Sequence, residues 1–222
     1  VTGHRGYIGS HLYNQLLSSG YDVSGIDLKE GNDILYCLPD ENFDCVFHLA
    51  ALPRVEYSIE NPFYTMKQNV LVTSKLYDIK CVCLRYFNVY SEDQEYGGSY
   101  STVISAWMQM IRDNKSLRID GDGTQSRDFI HVSDIISANI WCINNLERIE
   151  DLWYDIGYGE TCTLNDIKHI ADKYNRIKWD QAPDRKGDVK HTEISEQKLQ
   201  KIGWTPKVDL KTGLEKCFKN LK

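Results

Sequence analysis

The chain has 222 residues, 41% of them apolar, and a formal net charge of -6. That length predicts one or two domains with a substantial core, and the acidic balance argues against broad nucleic-acid or membrane binding. No apolar run approaches the ~18 residues of a membrane span and no signal peptide is visible, so a cytoplasmic protein is expected, and an anionic ligand must be held by local arginines. Seven cysteines, at 37, 45, 81, 83, 142, 162 and 217, form no C-x-x-C pair. They read as buried thiols in a reducing cytosol, with no metal site.

The first ten residues, Val1-Thr-Gly-His-Arg-Gly-Tyr-Ile-Gly-Ser10, place glycines at 3, 6 and 9. The helical spacing Ile8, Leu12, Leu16, Leu17 follows at once and stops at Gly20. Tyr21-Asp-Val-Ser-Gly-Ile-Asp27 then reads as a short strand closing on an acid. Strand end, glycine turn, helix, strand and acid make a mononucleotide-binding βαβ start. In such a start the turn of Gly3, Gly6, Tyr7, Ile8 and Gly9 brings a pyrophosphate to the helix N-terminus. Asp27 is placed to accept hydrogen bonds from adenosine ribose hydroxyls. Its carboxylate would repel a ribose phosphate, which favours NAD over NADP. The chain opens at the last residues of what should be the first strand, whose usual apolar run is absent, so a preceding stretch is expected.

The spacing T-G-x-x-G-x-x-G resembles the extended short-chain dehydrogenase/reductase family, the nucleotide-sugar epimerases and dehydratases. Their usual opening is V-T-G-G-A-G-F-I-G-S-H-L, and His4 and Arg5 stand here in place of two small residues. The resemblance implies an α/β fold: a Rossmann-type doubly wound parallel sheet with a smaller C-terminal α/β substrate-binding lobe. Asp33-Ile34 falls where that family has an acid-hydrophobic pair touching adenine, a plain loop acid staying open as the other reading. Cys45-Val-Phe-His-Leu-Ala-Ala51 is an apolar run of strand length, similar to the family's F-H-L-A-A. Leu49, Ala50 and Ala51 would lie against the cofactor, and His48 reads as a packed strand residue. Ser58-x-x-x-Pro62 and a helix over about 63–76 follow, with Asn69 in the position that braces the cofactor side of the site.

Lys80-Cys-Val-Cys-Leu-Arg-Tyr-Phe-Asn-Val-Tyr90 alternates as a strand over 81–85 and is similar to the family's L-R-Y-F-N-V-Y-G, with Ser91 in place of glycine. The likeness puts Tyr86 near the nicotinamide, a core role for its ring staying open, and gives Asn88 a hydrogen bond to a substrate diphosphate. Tyr96-Gly-Gly-Ser-Tyr-Ser-Thr-Val-Ile104 is a loop running into a helix whose Val103, Trp107 and Ile111 recur at i, i+4, i+8. It resembles a stretch of UDP-N-acetylhexosamine epimerases that closes over uracil, which brings Val103 into the substrate set. Leu117-Arg-Ile-Asp-Gly-Asp-Gly forms a short strand and turn.

Gly121-Asp-Gly-Thr-Gln-Ser-Arg-Asp-Phe-Ile-His-Val-Ser-Asp134 is close to the family's G-D-G-x-Q-x-R-D-F-I-H-V-x-D. Arg127 is the expected diphosphate clamp, because guanidinium pairs bidentately with phosphate oxygens. Asp128 and His131 are expected to hold the turn, and Ser133 to cap the next helix. A strand over 152–157 precedes Thr163-x-x-Asp166, a capping box that opens a helix over Leu164–Tyr174. Ala182-Pro-Asp-Arg-Lys-Gly-Asp188 resembles the family's P-x-R-x-G-D, which gives Arg185 to the diphosphate and Asp188 to the nucleoside ribose. Thr192, four residues later, falls where the glucose- and galactose-limited epimerases carry a bulky tyrosine. Ile202-Gly-Trp-Thr-Pro206 and a helix over 209–221 match the family's closing segment.

The family's chemistry needs a Ser/Thr and a Tyr-x-x-x-Lys on one helix, the lysine lowering the tyrosine's pKa so that it removes a hydroxyl proton. No such segment lies between Leu76 and Asp78, where it belongs. The only Tyr-x-x-x-Lys in the chain, Tyr174-Asn-Arg-Ile-Lys178, straddles a helix end. Dropping the strand that should precede 80–86 would leave unpaired backbone at the sheet's edges. A missing segment near 76–78, with a break in the chain near 75–79, is therefore expected. The expected domains are a cofactor domain over 1–95 and about 131–157, and a nucleotide-sugar lobe over 96–130 and 158–222. The function implied is NAD-dependent 4-epimerisation of a UDP-hexose, including the N-acetylhexosamines, through a transient 4-keto intermediate, in a homodimer. The alternatives are a 4,6-dehydratase or decarboxylase of the same family, or a catalytically silent NAD and sugar-nucleotide binder.

Overall fold

The computed structural model describes residues 1–37, 43–74, 81–98, 100–184, 189–219 and 221. These form two compact units, Val1–Val82 and Cys83–Lys222.

In the first unit Thr2 is bridged in parallel to Ile26 on one side and to His48 on the other. The extended tips at 26, 2 and 48 thus lie side by side with the first in the middle, the order of a mononucleotide-binding start. α1 (Tyr7–Ser18) buries Leu12 and Leu16, whereas Leu17 turns outward and is 46% exposed. The helix ends in a Schellman motif: Gly20 N–H donates to Leu17 O, Tyr21 N–H donates to Leu16 O, and Gly20 has φ +85°. α2 (Val55–Glu60) and α3 (Pro62–Met66) follow, and Pro62 opens α3, where its missing N–H costs nothing. A π-helical turn, Lys67–Leu71, leads into α4 (Val72–Ser74). The expected break at 75–79 lies outside the described residues.

The second unit holds β1 (Cys83–Tyr86), β2 (Asn88–Tyr90), β3 (Leu117–Asp120), β4 (Ser126–His131), β5 (Trp153–Ile156), β6 (Thr161–Thr163), β7 (Trp179–Ala182) and β8 (His191–Thr192). They alternate with α5 (Val103–Arg112), α6 (Val132–Asn144), α7 (Leu164–Tyr174), α8 (Lys198–Lys201) and α9 (Leu210–Lys219). β1 pairs in parallel with β5, but the chain changes partner at Phe87, and β2 pairs in parallel with β4. β4 also pairs with β6 (antiparallel) and β8 (parallel), while β3 and β7 form a separate parallel pair.

The core of this unit gathers Trp107, Met108, Leu117, Phe129, Ile167 and Phe218, each such side chain contributing about 1.5–3 kcal/mol. α5 starts with a capping box from Thr102 and Ser105, and its buried face runs through Ile104, Trp107 and Met108. α7 starts with the expected Thr163–Asp166 capping box. The expected cap of α6 is corrected. His131, in an extended conformation, is the N-cap, and its ring accepts the Ser133 N–H at 3.3 Å, while Ser133 already lies in the first turn. Backbone conformation decides between the two, since a capping residue cannot itself be helical. Asp134 accepts Lys207 N–H at 2.8 Å and Val208 N–H at 3.0 Å, which fastens the Gly203-Trp-Thr-Pro206 segment to α6.

The cysteines also differ from expectation. Cys142, Cys162 and Cys217 are buried, but Cys37, Cys45, Cys81 and Cys83 are exposed. β1 alternates between exposed and half-buried positions, so Cys83 falls on an uncovered face. Burial pushes each of the three interior thiols up to about 12. Among the described residues no helix is long and apolar enough to cross a membrane.

Candidate functional site

The glycine turn is shaped by close backbone approach. Gly3 has φ +71°, and a Cβ there would lie 2.7 Å from Ala50 N; a Cβ on Gly9 would run into the Gly3 carbonyl oxygen. Gly6 caps α1 without a side chain, so the positive end of that helix is presented by backbone alone, as anion binding requires. Asp27 is nearly buried. Its carboxylate accepts Arg5 N–H at 2.8 Å and Lys29 N–H at 2.9 Å. An ionised carboxylate accepts roughly four hydrogen bonds, so capacity remains for ribose hydroxyls. Tyr7, Ile8, Leu49 and Ala50 are half-buried and Ala51 is exposed. Ile34 instead points into a small core with Leu35 and Val72, while Asp33 accepts Leu35 N–H at 2.9 Å.

A polar chain behind this turn escaped the sequence reading. The Thr73 hydroxyl donates to Asn69 O at 2.7 Å, so it accepts from His48 Nε2 at 3.1 Å. His48 Nδ1 is then the acceptor for the Thr2 hydroxyl at 2.7 Å, and that oxygen in turn receives Leu49 and Ala50 N–H, each at 3.2 Å. Burial pushes the His48 pKa down, which agrees with this neutral tautomer and with a packed strand residue. Asn69, inside the π turn, accepts Leu52 N–H at 2.8 Å and donates to Leu52 O at 3.0 Å, a brace on the strand's exit. The available signals were the threonine of T-G and the Asn69/Thr73 spacing of four.

In the second unit a cavity of about 330 Å³ opens where the chain leaves β5 for β4. It is lined by Arg85, Tyr86, Phe87, Asn88, Tyr100, Arg127 and Thr192. A crevice beside diverging strands is where open α/β sheets take ligands. Asn88 donates to Asp128 O at 3.0 Å, and Arg127 donates to Ser126 O at 2.8 Å and Lys190 O at 3.1 Å. The Thr192 hydroxyl is buried and has no partner among the described residues. Arg85 forms a two-pronged ion pair with Asp155 at 2.5 and 2.8 Å, and among the described residues the lining contains no carboxylate. Tyr86 donates to Asn139 Oδ1 at 2.9 Å, and burial holds its hydroxyl far above the usual phenol range. Tyr100, from the loop before α5, accepts Val89 N–H at 3.0 Å and so secures the backbone at the partner change.

Asp128 holds its turn as expected, accepting Tyr158 and Gly159 N–H, each at 2.8 Å, and burial pushes its carboxyl up to about 6. Val103 packs against the core and is not part of the lining. Arg185 and Asp188 lie outside the described residues. Tyr174 is the last residue of α7, so Lys178 does not share its helix. Among the described residues no group of three or more His, Cys, Asp or Glu could hold a metal ion.

The family model of the NAD dependent epimerase/dehydratase family matches residues 1–79 and 72–157. The chain belongs to that family. The two matched stretches meet at 72–79, the region where a segment was expected to be missing. A Methanocaldococcus jannaschii protein, named by inference as a UDP-glucose 4-epimerase, is 27% identical over 304 aligned positions covering 100% of this chain and 97% of that protein. With 222 residues here, a large part of that relative has no counterpart in this chain. The dTDP-4-dehydro-6-deoxyglucose reductase of Escherichia coli is 29% identical over 181 residues, 78% of this chain and 54% of the reductase. The fold is that of the UDP-N-acetylglucosamine 4-epimerase of Methanobrevibacter ruminantium M1, solved with UDP-N-acetylmuramic acid. The two agree at a TM-score of 0.86 and 24% identity over 98% of this chain and 96% of that one. The UDP-glucuronic acid 4-epimerase of Bacillus cereus, solved with UDP-glucuronic acid and NAD, matches at a TM-score of 0.83 and 24% identity over 99% and 97%.

Proposed function

We propose that this chain carries the cofactor-binding and substrate-binding parts of an NAD-dependent UDP-hexose 4-epimerase. The observation that carries the reading is the cavity at Phe87, which draws Asn88, Arg127 and Thr192 together from distant parts of the sequence. When bound, NAD takes up and returns the hydride of the sugar's C4 position. The chain's own residues bind and orient. The glycine turn and the N-terminus of α1 receive the pyrophosphate, and Asp27 receives the ribose hydroxyls. Arg127 and Asn88 hold the diphosphate of the sugar nucleotide; the family resemblance also gives Arg185 to the diphosphate and Asp188 to its ribose. The buried Thr192 hydroxyl supplies a hydrogen bond to the sugar, and its small side chain leaves room for a C2 acetamido group.

The proton-abstracting tyrosine belongs to a segment missing from these 222 residues near 76–78. That placement is supported by the junction of the two family matches at 72–79. It is also supported by an apolar stripe on the preceding helices: Ile59, Phe63, Met66 and Val70 are 54–75% exposed, as if a covering element were lacking. The same facts favour a second reading of the 222 residues as they stand, a binder of NAD and sugar nucleotide that does not turn over. Calorimetry with UDP and NAD, followed by turnover of UDP-glucose and UDP-N-acetylglucosamine, tests both. The chain should bind each ligand without turnover, and inserting the corresponding segment of the M. jannaschii relative at 76–78 should restore epimerisation. Failure to bind UDP would sink the proposal, and turnover by the uninterrupted chain would remove the need for the segment.

A further inference from the structure

The ribose acid does not stand alone. Where the family's usual opening has two small residues, this chain has His4 and Arg5, and both reach the same partner. Arg5 Nε and Nη2 each lie 2.5 Å from Glu30 Oε1, and His4 Nε2 lies 3.4 Å from Glu30 Oε2. The Arg5 backbone N–H is bonded to Asp27, so this guanidinium starts from directly beside the ribose acid. Lys29 is tied in as well, its ammonium donating to Arg5 O at 2.9 Å and its N–H to Asp27. Asp27 is thus flanked by the backbones of two basic residues, whose charged ends go to Glu30 and to Arg5 O, and Arg5 is 59% exposed. A guanidinium fork at this place would suit a ribose 2′-phosphate. Glu30 occupies that fork.

We propose that Glu30 is a specificity-determining residue for the dinucleotide: by holding the Arg5 guanidinium it withholds a planar fork able to grip a 2′-phosphate, and so reinforces the preference for NAD set by Asp27. The inference rests on the dinucleotide site proposed above. Asp27 repels the phosphate by charge, but it is also bonded to two backbone amides and cannot be changed without disturbing the turn. Glu30 is 32% exposed, so a glutamine of the same shape fits. With the charge gone, Arg5 is released towards the ribose edge.

The test is calorimetric titration of the 222-residue chain with NAD and with NADP, for the wild type, Glu30→Gln, and Glu30→Gln combined with Arg5→Ala. The wild type should prefer NAD. Glu30→Gln should tighten NADP by about tenfold or more, the worth of a charge-assisted fork, and leave NAD within roughly threefold. Adding Arg5→Ala should abolish the gain, and raising the salt concentration should shrink it. An unchanged NADP to NAD ratio in Glu30→Gln, or a gain that survives Arg5→Ala, overturns the role of Glu30. A wild type that binds neither dinucleotide overturns the site itself, and this inference with it.

Discussion

Replacing Arg127 with alanine separates the substrate half of the site from the fold that carries it. The side chain is half-buried on β4 and donates from Nη1 to Ser126 O and Lys190 O, so it helps to hold the segment before β8 against β4. Losing those bonds should cost about 1–2 kcal/mol of stability, well inside the roughly 5–15 kcal/mol of an ordinary domain. The variant should therefore fold. Loss of charged hydrogen bonds to a diphosphate is worth about 1.5–3 kcal/mol, an approximately ten- to 150-fold rise in the Kd for UDP. Arg127→Lys keeps the charge but not the planar fork and should fall between the two. Calorimetry with UDP gives the answer, and NAD is the control because its proposed residues, Tyr86 apart, lie in Val1–Val82. Unchanged UDP affinity, or an equal loss of NAD affinity, would mean that Arg127 only ties strands together.

Thr192→Tyr places an aromatic ring in a cavity of about 330 Å³, and in the segment-restored enzyme it should suppress UDP-N-acetylglucosamine turnover while sparing UDP-glucose. An unaltered ratio of the two rates would refute that pocket assignment. Asp128, raised to about 6 by burial, starts from about 3.9 in the unfolded chain. Its contribution therefore favours folding below about pH 4 and is lost as pH rises through 6. Asp128→Asn should flatten the pH dependence of the urea midpoint between about pH 4 and 6 relative to wild type, and cost about 1–3 kcal/mol because one of the two amides then faces a donor. Parallel pH curves would show that the carboxyl does not titrate there.

What the sequence displayed most clearly was local chemistry. The glycine turn, the Gly20 stop and the Thr163–Asp166 box each depend on residues a few positions apart, and each formed as read. Choices made by tertiary contact were hidden. Nothing in Leu84-Arg-Tyr-Phe-Asn-Val-Tyr90 announces that the strand trades β5 for β4 at Phe87, yet that exchange creates the cavity. His131 and Ser133 are both capable caps, and only the backbone conformation selects one. Ile34 went to a core, and Tyr100 became a backbone clamp, because burial depends on what packs from elsewhere in the chain. Asn88, Arg127 and Thr192 could be grouped from sequence only through family likeness, since no local spacing connects them.

The division of the cysteines has a practical use. In the native state a thiol reagent should meet the four exposed sulfurs at once, and leave those of Cys142, Cys162 and Cys217 untouched. The protected three sit in α6, β6 and α9, so each reports on a different wall of the same unit. Their modification requires the wall to open, and its rate follows the free energy of that opening. The chain thus carries its own clock for the slow breathing of the second unit, with no label added.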